Sequence, residues 1–248
     1  MHTLDFYFDP ISPYAYLAFH QLPKTLEGLS VVVRYKPVLF GAMLNANGQK
    51  GPAEIDGKRE WTYRQALWQA KKMGLPMTMP AAHPFNPLPL LRAMLAAADS
   101  DGAVNRYVAE QAFSRVWTSA QDPASEQFLM AFNAVVDTHL TRRGNDALAS
   151  DAVKLCLRHN TEAALDAGVF GVPTVVVNGY VFWGLDGLDV LRDYLNDPAW
   201  FDNAQGEWQQ AAHVPVGNRT LPACTTWARA PTSTHSAHTA QLSRVHAP

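Results

Sequence analysis

Cysteine is almost missing from this 248-residue chain: Cys156 and Cys224 are its only two, and they share no C-x-x-C or metal-ligand spacing. The core must therefore hold by packing and not by disulfides, and no metal site is expected. No uninterrupted apolar run reaches about 18 residues, which excludes a membrane-spanning helix. Charge of one sign is not in excess either. The 20 Lys plus Arg nearly balance 22 Asp plus Glu, a net −2, so the chain lacks the concentrated basic face that nucleic-acid binding needs. The opening MHTLDFYFDP has no basic segment followed by a long apolar one, so no signal peptide is expected and a cytoplasmic protein is the default.

Acidic residues stop at Glu207. From Trp208 to Pro248 the only formal charges are Arg219, Arg229 and Arg244, so residues 1–207 hold 17 basic against all 22 acidic residues, a net −5. The last segment is rich in Thr, Ser, Ala and His without an apolar period, and it reads as a flexible tail over 208–248. His213, His235, His238 and His246 are too scattered for a metal site. Truncation after about Gln210 is expected to leave ligand binding and activity unchanged.

What is present is the content of an ordinary globular domain, 48% hydrophobic and 17% charged. Leu4–Phe8 and Ser30–Tyr35 read as strands. Between them, Tyr14, Leu17, Ala18 and Leu22 recur at helical spacing, with Pro23 as a stop or kink. Strand, helix, strand predicts a parallel βαβ unit. From Lys58 to about Leu165 the pattern is mostly helical. Lys58–Met73 ends at Gly74, Asn86-Pro87 and Asp122-Pro123 read as N-cap and N1 pairs, and Phe128, Phe132, Val135, Val136 and Leu140 share one face. The β-branched run Val172–Val177, the hairpin signal Asn178-Gly179, the return strand Tyr180–Trp183 and a last helix Leu188–Leu195 follow. Together these predict an α/β fold: a thioredoxin-like core, residues 1–40 and 164–197, with an all-helical insertion over 41–163.

Two positions carry the chemistry. Ser12, followed by Pro13, sits where the first strand meets the first helix; it is a plain N-cap or an anion-stabilising hydroxyl at the positive end of the helix. Val172-Pro173 stands at the entry of a strand; its peptide is an ordinary trans bond, or a cis bond that turns the Val172 backbone outward to pair with an extended peptide. In a thioredoxin-like topology the two lie side by side and make a place for a thiol-bearing peptide. The helix start has no cysteine, and disulfide exchange needs an attacking thiolate, which removes a redox role there.

DFYFDPISPYAYLA, GPAEIDGK and GVFGVPTVVVNGYVFWGLD together resemble the 2-hydroxychromene-2-carboxylate isomerase family and the related kappa-class glutathione transferases, from about Leu4 to Leu195. The resemblance implies a DsbA-like thioredoxin fold, glutathione as cofactor and a homodimer. It places Ser12 against the glutathione sulfur, Val172 and Pro173 along the cysteinyl backbone, and Trp183, Gly184, Leu185 and Asp186 near the γ-glutamyl end, with Leu185 larger than the kappa-class residue. Gln49 and Lys58 then fall where that class uses an Asn and a Lys, Lys58 suiting a carboxylate. His83, Phe85, Asn86 and Trp183 are candidates to meet a small aromatic substrate, although Asn86 and Phe85 also fit a helix cap and its hydrophobic staple. Glu54-Ile55 stands near the family's substrate-binding Asn-Arg pair. The implied activity is isomerisation of a hydroxychromene carboxylate to a trans-benzylidenepyruvate by transient thiolate addition, with Ser12 as thiolate stabiliser. A kappa-like transferase and a non-catalytic peptide-binding module are the alternatives.

Overall fold

A computed structural model describes residues 1–99, 101–139, 150–203, 205–215 and 217. The elements, in chain order, are β1 (His2–Phe8), α1 (Pro13–Thr25), β2 (Val31–Pro37), α2 (Phe40–Ala46), a 3-10 turn at Pro52–Glu54 and α3 (Asp56–Met73). Then come α4 (Leu88–Leu95), α5 (Arg106–Thr118), α6 (Glu126–His139), α7 (Asp151–Asp166), β3 (Thr174–Val177), β4 (Tyr180–Trp183), α8 (Gly187–Asn196), α9 (Ala199–Asp202) and α10 (Glu207–Ala212). The sheet order is β2-β1-β3-β4, with β1 and β2 parallel and the β1–β3 and β3–β4 pairs antiparallel. This is the βαβ plus ββα arrangement that the strand and turn signals imply.

Alternation along β1 divides the interior. Leu4, Phe6 and Phe8 join a large apolar cluster with Ala15, Tyr16, Leu17 and Phe19 of α1, while Tyr7 joins a smaller one with Met43, Ala164 and Val172. The helical insertion shares the large cluster: Phe113 of α5 packs its ring 5.1 Å from both Phe8 and Phe19. The boundary at 163/164 falls inside α7, which runs unbroken to Asp166 and whose Asn160 and Thr161 bind the last residue of β2, Pro37, and Leu39 just beyond it.

Several local expectations are corrected. Pro23 does not stop α1 at once but lies inside its last turn, where it removes the N–H that would bond the Phe19 carbonyl, and the helix ends two residues on at Thr25. Asp122-Pro123 forms a turn in which the Asp122 carboxylate accepts Ala124 N–H, and α6 begins at Glu126, with Ser125 Oγ accepting Phe128 N–H. Asn86 likewise binds Leu88 N–H two residues on, so α4 begins at Leu88 with Pro87 as its N-cap residue. In both, the side chain reaches i+2 and builds a turn ahead of the helix. Leu140 lies outside the described residues, as do all of 218–248.

The start of the segment that composition assigns to a tail is helical, in α10. Trp208 of α10 meets Phe201 edge-to-face with ring centroids 5.0 Å apart, and Gln209 donates to Tyr180 Oη and the Phe201 carbonyl. Aromatic packing, invisible to a charge count, docks this helix. A truncation after Gln210 keeps both contacts, so activity within about twofold of the full chain is the expected assay result; a larger loss would place the removed residues in the working protein.

Candidate functional site

Ser12 ends the loop that leaves β1. Its Oγ accepts Ala15 N–H at 3.2 Å as the N-cap of α1 and donates to the Val172 carbonyl at 3.5 Å. The Val172-Pro173 peptide is cis. Two motifs 160 residues apart in sequence thus meet at one point. Ser12 is a cap, and it also faces the strand entry. The bond to Val172 is at the long limit for a hydroxyl, so the Oγ proton is easily redirected to a better acceptor.

The loop below Ser12 is braced at every carbonyl. Asp9 O accepts Ser12 N–H (3.0 Å), Pro10 O accepts the buried Trp117 indole N–H (2.9 Å), and Ile11 O accepts His83 Nε2–H (2.8 Å). Since a carbonyl only accepts, His83 carries its proton on Nε2, and its Nδ1 accepts Tyr63 Oη–H at 2.7 Å. Burial holds the His83 pKa below its ordinary value, which favours this neutral form. Asp9, fully buried, accepts Ile11 N–H (3.0 Å) and Phe40 N–H (3.1 Å). Insertion residues therefore set the position of Ser12 by hydrogen bonds to backbone. Trp117→Phe, which leaves Pro10 O unpaired in the interior, is expected to cost about 1–3 kcal/mol of stability in urea unfolding; a change under about 0.5 kcal/mol would mean the carbonyl finds another donor.

Beside this point opens a cleft of about 570 Å³, within the range of small-ligand sites. Val172, Pro173, Trp183, Gly184, Leu185 and Asp186 line one wall. Asp186 occupies the N-cap position of α8 without a side-chain capping bond, so its carboxylate is not engaged by the helix. Gly184, at φ 90°, is where only glycine fits: a Cβ would stand 2.5 Å from Asp186 Oδ1. The opposite wall is polar and unforeseen: Tyr14 and Gln21 of α1 with Gln65, Gln69 and Met73 of α3. Tyr14 Oη–H donates to Gln65 Oε1 at 2.6 Å, leaving the Gln65 amide N–H groups as donors. Burial, and then the Asp186 carboxylate, raise the Tyr14 pKa, so its hydroxyl stays protonated. Asp189 adds a second carboxylate at the α8 end.

Other candidates do not reach the cleft walls. Gln49 and Lys58 are exposed and absent from the lining. His83 is occupied at both ring nitrogens, Phe85 is buried in the core, and Asn86 holds its own turn. Of the substrate candidates, only Trp183 lines the cleft. Glu54 is engaged as well, its carboxylate accepting Gly51 N–H at 2.5 Å. β1 and β4 flank β3 over Thr174–Val177, while Val172, the position expected to pair with an extended peptide, precedes the strand. Among the described residues, no cluster of His, Cys, Asp or Glu is suited to a metal ion and no helix is long and apolar enough to cross a membrane.

The family model of the DSBA-like thioredoxin domain matches residues 3–196. A 2-hydroxychromene-2-carboxylate isomerase of Sphingobium xenophagum is 33% identical over 201 residues, which cover 79% of this chain and 98% of that one. Glutathione S-transferase kappa 1 of Rattus norvegicus is 24% identical over 209 residues, 80% of this chain and 92% of the relative. A solved structure of a 2-hydroxychromene-2-carboxylate isomerase shares the fold with a TM-score of 0.68 at 23% identity, covering 86% of this chain and 100% of that one.

Proposed function

This chain belongs to the DsbA-like thioredoxin family and, within it, to the 2-hydroxychromene-2-carboxylate isomerase group, and on that premise we propose that it is a glutathione-dependent isomerase of a hydroxychromene-carboxylate-type aromatic ring-cleavage product. The observation that carries the reading is Ser12 Oγ, held at the N-terminus of α1 and 3.5 Å from the Val172 carbonyl at the edge of the cleft, with no cysteine beside it. The residues fit glutathione. A helix N-terminus and a hydroxyl donor suit a sulfur anion, the Asp186 carboxylate suits an ammonium, and the Gln65 and Gln69 amides offer donors to a carboxylate.

Glutathione held by Asp186, Gln65 and Gln69 would supply a thiol nucleophile for transient addition to an unsaturated carbon of the substrate, and it would not be consumed. Ser12 turns its hydroxyl proton from the Val172 carbonyl toward the sulfur and, with the α1 N-terminus, favours the anion over a thiol of ordinary pKa near 8.5. Each pKa unit so gained is worth about 1.4 kcal/mol. The braced loop over residues 9–11 keeps that hydroxyl in place, so no reorganisation is needed as charge develops. Tyr14 fixes the Gln65 amide.

Product analysis tests the proposal: 2-hydroxychromene-2-carboxylate should disappear over many turnovers while the glutathione concentration stays constant. Similarity to kappa-class transferases favours a second reading, in which the conjugate is kept; steady stoichiometric loss of glutathione would replace the first reading by that one.

A further inference from the structure

Beside the cleft the fold leaves two large, mutually packed aromatic side chains open to solvent. Trp183, at the end of β4, is 53% exposed, and Phe170, just before the cis peptide, is 41% exposed. Their ring centroids lie 5.1 Å apart with a 54° tilt. Trp183 lines the cleft, and Phe170 packs against Trp183 from outside that lining. Such contiguous exposed aromatic surface is costly in water and marks an interaction site when it adjoins a cleft.

The shelf is held rigidly. Trp183 is paired with the buried Thr174 in the β3–β4 ladder, and Thr174 Oγ1–H donates to the Gly171 carbonyl at 2.7 Å. The indole lies across Gly171: a Cβ there would stand 2.9 Å from Nε1 and 3.7 Å from both Cδ1 and Cε2. Gly171 has no positive φ, so its backbone conformation does not call for glycine. The space does. A side chain at 171 would lift the indole away from the cleft.

We propose that Trp183 and Phe170 form an aryl subsite, a fixed shelf that stacks the planar aromatic ring of the substrate and selects aryl over alkyl substrates, with Gly171 as its positioning residue. This rests on the isomerase reading for its substrate class, and adds which surface recognises the ring. Because the shelf is preformed, little side-chain freedom is lost on binding. Gly171, which the indole covers, is followed directly by Val172, whose carbonyl accepts the Ser12 hydroxyl.

The test uses the full chain and titration calorimetry with two probes of equal charge, trans-o-hydroxybenzylidenepyruvate and the alkyl analogue 2-oxohex-3-enoate. The wild type should bind the aryl probe about tenfold tighter, and Phe170→Ala should lower that preference about threefold or more. Gly171→Ala should act in the same direction, and the Kd for glutathione should stay within about twofold in Phe170→Ala, whose side chain lies outside the cleft lining. Phe170→Ala removes an exposed side chain, so its test stands even where Gly171→Ala fails to fold. An unchanged aryl preference in Phe170→Ala, equal binding of both probes by the wild type, or a parallel rise in the glutathione Kd of Phe170→Ala would each overturn the subsite. Absence of turnover with a retained aryl preference would instead defeat the isomerase reading alone.

Discussion

Replacing Ser12 by alanine is expected to lower turnover by about 10²- to 10³-fold, the usual effect of removing one donor aimed at developing negative charge. The same change strips the cap from Ala15 N–H and so costs about 1 kcal/mol of stability. A domain with a core this continuous stays folded at that cost. Ser12→Thr keeps both the hydroxyl and the cap, and should retain most of the activity. The two variants thus separate capping from catalysis: a merely structural serine would leave the alanine variant with a lowered unfolding midpoint and nearly normal turnover. Steady-state rates alongside urea unfolding decide it, and turnover within about threefold of the wild type would end the assignment of Ser12 as an active-site group.

Ser12 and Val172 were readable from sequence because each is marked locally, by Ser-Pro at a helix start and Val-Pro at a strand entry, and because the βαβ and ββα patterns dictate that they meet. The opposite wall was not readable. Gln65, Gln69 and Met73 recur at i, i+4 and i+8 on α3, and Tyr14 and Gln21 at i, i+7 on α1, but amphipathic reasoning seeks apolar residues on an inward face and passes over glutamines. His83 misled for a related reason. A histidine in a proline-rich loop looks available, whereas both of its nitrogens bind partners distant in sequence, Ile11 and Tyr63. Trp117 gave no signal at all beyond being apolar, yet its indole N–H holds Pro10. The helical insertion is therefore more than a cover over the sheet; through Trp117 and His83 it fixes the loop that aims Ser12.

Asp9 is the other residue that periodicity conceals, and it carries the largest expected pH effect. Burial pushes its pKa from 3.8 up to about 7, against the two backbone N–H donors that favour the carboxylate. The native state consequently holds a proton between about pH 4 and 7 that the unfolded chain has released, so Asp9 makes stability fall as pH rises through that window. At about 1.4 kcal/mol per unit the fall amounts to roughly 4 kcal/mol, complete near pH 7 and flat above it. His20 and His83, whose pKa values burial lowers, act in the opposite sense, since the native state binds fewer protons there. Their contribution cancels in the difference between wild type and Asp9→Asn. In that variant the amide oxygen can still accept Ile11 N–H, while the amide nitrogen confronts Phe40 N–H, a penalty of about 1–3 kcal/mol that does not vary with pH. Urea unfolding of both proteins from pH 4.5 to 8 should therefore show the stability of the wild type declining relative to Asp9→Asn as pH rises, then running parallel to it above about pH 7.5. A difference that stays constant across the whole range would mean that Asp9 is already ionised at pH 4.5 and that its two backbone donors outweigh its burial.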